Sequence, residues 1–253
     1  MTSNGMHIKA HLEEKLESAQ HILTQAVAEI SHPQGNKTAA LRLARMAQRK
    51  YEQARLVAIA NATPPGSLDE IIHWVNRQIP ETHLVQANAY HSIGHSRYQE
   101  GRNRFDEPTR TAFSNAAGRY QRAYHAVEAV SDSYRTTEER YSRRSLLEKL
   151  YPGWASACFI LGSDSANRGS RLINFPESGQ LITPTDIGEG LDCIDAAIRY
   201  FGIILGMAEM ARRDNVDLAS FENRARSRLF ELNKTAHRTA VSINDTERAA
   251  KYR

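Results

Sequence analysis

An all-α fold, a bundle of about seven or eight helices, is predicted for this chain by three features of its sequence. Apolar residues recur at steps of three and four along most of its 253 residues. Clusters of Pro, Gly and Asn punctuate these stretches at intervals suited to helix–helix connections. Strand-type alternation is confined to one short stretch near 171–183, which leaves room for a single small β-hairpin.

The first stripe is Leu12, Leu16, Ala19, Leu23, Ala26 and Ile30, ended by His32, Pro33, Gln34, Gly35 and Asn36. A second stripe, Ala40, Ala44, Ala47, Tyr51, Ala54 and Ala58, is mostly alanine and lets another helix approach closely. The short connection predicts an antiparallel pair, so residues 1–62 are expected to form an N-terminal α-hairpin that could stand semi-independently. Ser67 and Glu70 have the spacing of a capping box, and the short helix they open is expected to stop before Pro80. A further helix is expected over about Thr82 to Arg102.

Asp106, Glu107 and Pro108 open the longest periodic stretch: Phe113, Ala116, Tyr120, Ala123, Val127, Val130 and Tyr134, with a continuation expected towards Tyr141. The character changes near Pro152, after which Trp154 to Leu161 reads as buried helix. Arg171 to Phe175 and Gln180 to Thr183 flank Pro176-Glu177-Ser178-Gly179 as the arms of the candidate hairpin. Thr185 or Asp186 is expected to cap a long helix to about Arg213, apolar on several faces, in which Gly202 and Gly206 would admit a close neighbour. Leu218 to Ile243 forms the last stripe. The main bundle is therefore placed at 67–243, with 244–253 as a polar, flexible tail.

Composition excludes several classes. Hydrophobic residues make up 41% and charged residues 25% of the chain, enough apolar surface for a folded core. No apolar run reaches the roughly 18–20 residues that cross a bilayer, and the N-terminus lacks the apolar stretch of a signal peptide. Cys158 and Cys193 both fall in apolar helical patterns and are expected to stay reduced, so cytoplasmic residence is the expectation. The net charge of +4 permits nucleic-acid binding without demanding it. The basic residues are 26 Arg and 7 Lys, and Arg suits bidentate contacts to oxyanions.

No phosphate-binding glycine loop, nucleophile elbow or Cys-x-x-Cys motif is present in the sequence. His91 and His95, four apart on one helix face, are the candidate metal ligands, and Glu70 with His73 forms one Glu-x-x-His pair. The set lacks the further ligands such sites need, so no metal and no cofactor is expected. Ten arginines between Arg97 and Arg144 are interleaved with aromatic residues. Arg119, Arg122, Arg143 and Arg144 are the candidate nucleic-acid contacts within that zone. Acidic neighbours such as Glu128, Asp132, Glu138 and Glu139 offset much of its charge.

The segment Arg119-Tyr-Gln-Arg-Ala-Tyr-His125 resembles the Arg-x(4–6)-His motif of HEPN-type ribonucleases over its seven residues. The resemblance implies His125 as general acid/base and Arg119 on the scissile phosphate. Tyr120, directly after Arg119, belongs to the apolar seam. With no specific catalytic motif, the leading expectation is a non-catalytic helical interaction or assembly protein, with a protein partner or self-association and no membrane. The alternative is a nucleic-acid-acting helical protein, either a phosphate-backbone binder or a HEPN-like ribonuclease.

Overall fold

The computed structural model describes residues 3–62, 68–101, 105–174 and 182–252. Among them the chain is a multi-helix, all-α protein with eight α-helices, one 3₁₀ turn and no strand. The helices are α1 Ser3–Ser31, α2 Lys37–Ala60, α3 Asp69–Glu100, α4 Glu107–Ala129, α5 Thr137–Asn174, α6 Pro184–Arg213, α7 Ala219–Ser242 and α8 Thr246–Lys251. The 3₁₀ turn is Ser131–Ser133. Two compact units result, Met1–Trp154 and Ala155–Arg253, divided within α5. No helix among the described residues is long and apolar enough to cross a membrane. Neither Cys158, which is buried, nor the half-buried Cys193 is in a disulfide.

In the first unit α1 and α2 pair antiparallel. Lys37 Nζ donates to the carbonyls of Glu29, Ile30 and His32 at the turn, while Tyr51 Oη donates to Gln20 further along. Asn36 caps α2 by accepting the Ala39 N–H, and the Glu29 carboxylate accepts the Asn36 N–H. The alanine stripe then does what small residues allow. Ala44, Ala47, Ala54 and Ala58 share one core cluster with Leu12, Leu16 and Leu23, and Leu68, just before α3, closes it together with Val75 and Val85 of α3.

Two proline positions depart from the sequence expectation. α3 runs unbroken through Pro80 and α5 through Pro152. Pro80 removes the N–H that the Asn76 carbonyl would accept. The buried residues Val75, Thr82, Leu84 and Val85 on either side of it keep both halves in one helical register. Ser67 of the expected capping box lies outside the described residues, and α3 starts at Asp69 without a side-chain cap bond.

The longest seam also differs from expectation, because α4 stops at Ala129 instead of continuing towards Tyr141. Ser131, Asp132 and Ser133 form the 3₁₀ turn, as short polar residues do when they compete for backbone partners. The Glu139 carboxylate then accepts the N–H groups of Arg135 and Thr136, which fixes the start of α5.

In the second unit, α6 is capped by Thr183 rather than Thr185 or Asp186. Thr183 and Asp186 form a reciprocal capping box with Pro184 in the first turn. A Cβ on Gly169 of α5 would meet the Gly190 carbonyl oxygen at 2.6 Å, so these glycines, not Gly202 and Gly206, permit the close helix approach. A Cβ on either of the latter would meet nothing within 4 Å.

Arg171–Asn174, expected as a strand, is the last turn of α5. The helical phase seats Ile173 on Gly190, a contact an extended chain would lose. The remainder of the expected hairpin, residues 175–181, lies outside the described residues.

Residues 244–252 of the expected tail carry a short helix. Asp245 caps α8, whose Arg248 and Lys251 pair with Asp192 and Asp195 of α6. Tyr252 Oη donates to Asp195 at 2.7 Å and is buried. These long-range polar contacts order a segment that has no apolar stripe of its own.

Candidate anion-binding groove

α3 lies between α2 and α4 in the first unit. Gln86 Nε2 donates to Gln48 Oε1 of α2 at 2.7 Å, and Tyr120 Oη of α4 donates to Asn88 Oδ1 at 2.6 Å. These bonds fix which residues of α2 and α4 stand beside the face of α3 that carries His83, Gln86 and Tyr90. His83, Gln86 and Tyr90 recur at steps of three and four along it.

Arg45 reaches the groove from α2. Its guanidinium donates to Tyr90 Oη and lies 5.9 Å from the centre of the Tyr90 ring. Arg119 approaches from α4, and the positive charges of Arg122 and Arg45 act on it from the same region. Burial first, then those two like charges, hold the Arg119 guanidinium below its usual pKa. Among the described residues, none of these three arginines has an acidic partner within ion-pair distance. The carboxylate that acts on His83 is Glu52 of α2. Burial and the cations Arg119 and Arg122 push the His83 imidazole down to about 4. His83 Nδ1 and Gln86 Oε1 are buried without hydrogen-bond partners.

The other sequence candidates lie apart from this cluster or are engaged. Arg143 pairs with Glu128 at 2.6 Å and Arg144 with Glu148 at 3.0 Å. Arg110 pairs with Glu107, and Arg77 with Glu139 at 2.7 Å. Arg135, Arg140 and Arg143 line a separate cleft of about 540 Å³ that also contains Asp132. His125 is exposed, with Nε2 3.5 Å from the Gln121 amide nitrogen. Six residues along a helix place it about 120° around the axis from Arg119.

His91 and His95 do come together, with ring centres 4.7 Å apart. They pack edge-on against Phe113 at 5.4 and 5.1 Å. Gly94 makes the room, since a Cβ there would meet the Phe113 ring at 2.9 Å. Burial, then His95, pushes the His91 imidazole down to about 4, and burial lowers that of His95. His73 faces Ser133 Oγ at 3.0 Å and the Arg135 guanidinium at 2.6 Å. No group of three or more His, Cys, Asp or Glu side chains is placed to hold a metal ion among the described residues.

The sequence singled out Arg119 and Arg122 as candidate nucleic-acid contacts but not Arg45, Tyr90 or His83, which come near them only when three helices assemble. The alanine stripe of α2 was the available signal. It fixes the buried face and so places Arg45 at its edge. No protein-family model matches the chain, and no curated protein matches it, so the groove is read from its own chemistry.

Proposed function

We propose that this chain is a non-catalytic interaction protein that docks a protein segment bearing an oxyanion, phosphorylated or carboxylate-rich, in the groove over α3. The observation that carries the reading is that Arg45, held on Tyr90, and Arg122 both act on Arg119, and none of the three has an acidic partner within ion-pair distance among the described residues. A guanidinium offers a planar fork of N–H donors to an oxyanion, and an arriving anion would relieve the repulsion among the three. Arg143, Arg144, Arg110 and Arg77 already hold carboxylates. Three arginines of the Arg97–Arg144 zone are thus committed to carboxylates, which leaves a nucleic-acid backbone fewer free cations there. The same stripe of α2 that carries Arg45 also carries Leu56 and Ile59, exposed by 65% and 50%. An apolar continuation beside a cationic anchor matches a peptide better than a polynucleotide.

The test is fluorescence anisotropy over a range of salt. The probes are a labelled phosphoserine peptide with flanking leucines, its unphosphorylated form and a single-stranded RNA. Binding of the phosphopeptide that is lost on Arg119→Glu or Arg45→Glu supports the reading. Tight RNA binding with a steep salt dependence would favour the nucleic-acid alternative instead. RNA cleavage lost in His125→Ala would select the ribonuclease.

A further inference from the structure

A larger cleft in the first unit, of about 700 Å³, lies between α3 and the start of α5, a volume suited to a small organic ligand. On the α3 side it is lined by Trp74, Arg77, Gln78, Glu81 and Leu84, spaced so that one helical face looks into it. Leu146 and Lys149 of α5 stand opposite, and Tyr134 enters from the connection.

Two polar groups in this cleft lack partners. Tyr134 is 6% exposed, and its hydroxyl is buried with no hydrogen bond. Glu81 makes neither a hydrogen bond nor an ion pair among the described residues. Arg77 cannot serve it, because its guanidinium is held by Glu139 at 2.7 Å and by the Ser133 carbonyl at 2.8 Å. Lys149 acts on Glu81 electrostatically, but it is exposed and not in ion-pair contact. Burial raises the Glu81 pKa, the mark of a carboxylate that has lost water without gaining a counter-ion. With Arg77 and Glu139 cancelling, the charge left at the cleft is that of Glu81 and the exposed Glu138 against Lys149. Trp74 adds an aromatic wall, able to attract a cation, and Leu84 and Leu146 add apolar ones.

We propose that this cleft binds a small organic cation, a primary amine on an apolar body. The Glu81 carboxylate is its counter-ion, the Tyr134 hydroxyl its second polar contact, and the Trp74–Leu84–Leu146 surface the seat of the apolar part. A carboxylate held away from water by burial recovers a charge-assisted hydrogen bond from the ammonium group.

Benzylamine, benzyl alcohol and benzoate share a shape and differ in charge, which makes them the probes. Each is titrated into the full chain by calorimetry. Tryptophan fluorescence, to which Trp74 in the cleft wall contributes, is followed in parallel. Saturable binding is expected for benzylamine alone. Glu81→Gln should weaken it at least about tenfold, the scale of one charge-assisted hydrogen bond. Tyr134→Phe should weaken it less. Lys149→Ala, at an exposed position, should tighten it by removing the competing cation. The urea transition of each variant checks that it is folded. Equal binding of benzyl alcohol, preference for benzoate, no saturable amine binding, or amine binding indifferent to both Glu81→Gln and Lys149→Ala each overturns the proposal.

Discussion

Acidification to about pH 5 should destabilise the first unit well before its carboxylates titrate, because two histidines are buried neutral. The perturbation is a fall in pH from about 7.5 to about 5. His83 and His91 both have pKa values lowered from 6.5 to about 4, chiefly by burial. Their Nδ1 and Nε2 atoms respectively are buried with no acceptor for an added proton.

The sign follows from the direction of the shift. Each ring has a folded pKa below its unfolded one, so its contribution is fully present above about 6.5 and is lost as pH falls towards about 4. At about pH 5 an unfolded ring is almost wholly protonated and a folded one almost wholly neutral, a difference of about 2 kcal/mol per ring at most. Both rings are only part-buried, so solvent screening lowers this to about 1–2 kcal/mol each, about 2–4 for the pair. Glu81 works in the opposite sense, since its raised pKa favours the fold as pH falls. Asp106 and Glu139, whose pKa values are lowered mainly by hydrogen bonds from Thr109 and Thr136, contribute only at lower pH.

Urea denaturation followed by tryptophan fluorescence is the assay. Trp74 and Trp154, the only two tryptophans, both belong to the first unit, so the signal originates there. The double variant His83→Gln/His91→Asn should show a much smaller difference between the two pH values. An unchanged midpoint in the native chain, or an equal loss in the double variant, would refute the reasoning.

Three further outcomes are expected. Leu23→Asp buries a carboxylate in the core shared by α1, α2 and α3, where Leu23 is 1% exposed, and should cost at least about 3 kcal/mol by the same fluorescence transition. Gly94→Ala drives a methyl into the Phe113 ring and should cost about 1–3 kcal/mol, read as a lower urea midpoint. In the second unit, Gly202→Ala and Gly206→Ala should each stabilise by up to about 1 kcal/mol through helix propensity, whereas Gly169→Ala should destabilise; thermal melts by circular dichroism separate the two signs.

Helix content, the α1–α2 pairing and most core residues were legible in the sequence. An amphipathic helix carries its buried face as a local period, and Leu12 to Ala26 or Ala44 to Ala58 declare theirs without help from the rest of the chain. Where local signals conflict with packing, tertiary structure decides. Pro80 and Pro152 are local breakers, yet each stays helical because packed residues on both sides hold the register. The Val130–Tyr134 periodicity invites a helix, yet Glu139 captures the Arg135 and Thr136 N–H groups and starts a new one. The polar tail, with no stripe at all, is ordered by Asp192 and Asp195 far away in sequence.

The candidate sites were least legible, and for the same reason. The sequence presented Arg119 beside Arg122, Arg143 and Arg144 as one zone. Only the fold shows that Arg143 pairs with Glu128 of the preceding helix, while Arg45 arrives from another helix to act on Arg119. Nothing about Glu81 as a letter distinguishes it from a surface residue, and the apolar stripe that includes Tyr134 does not show that its hydroxyl is left without a partner. What marks them is desolvation without a partner, and desolvation is a property of neighbours in space.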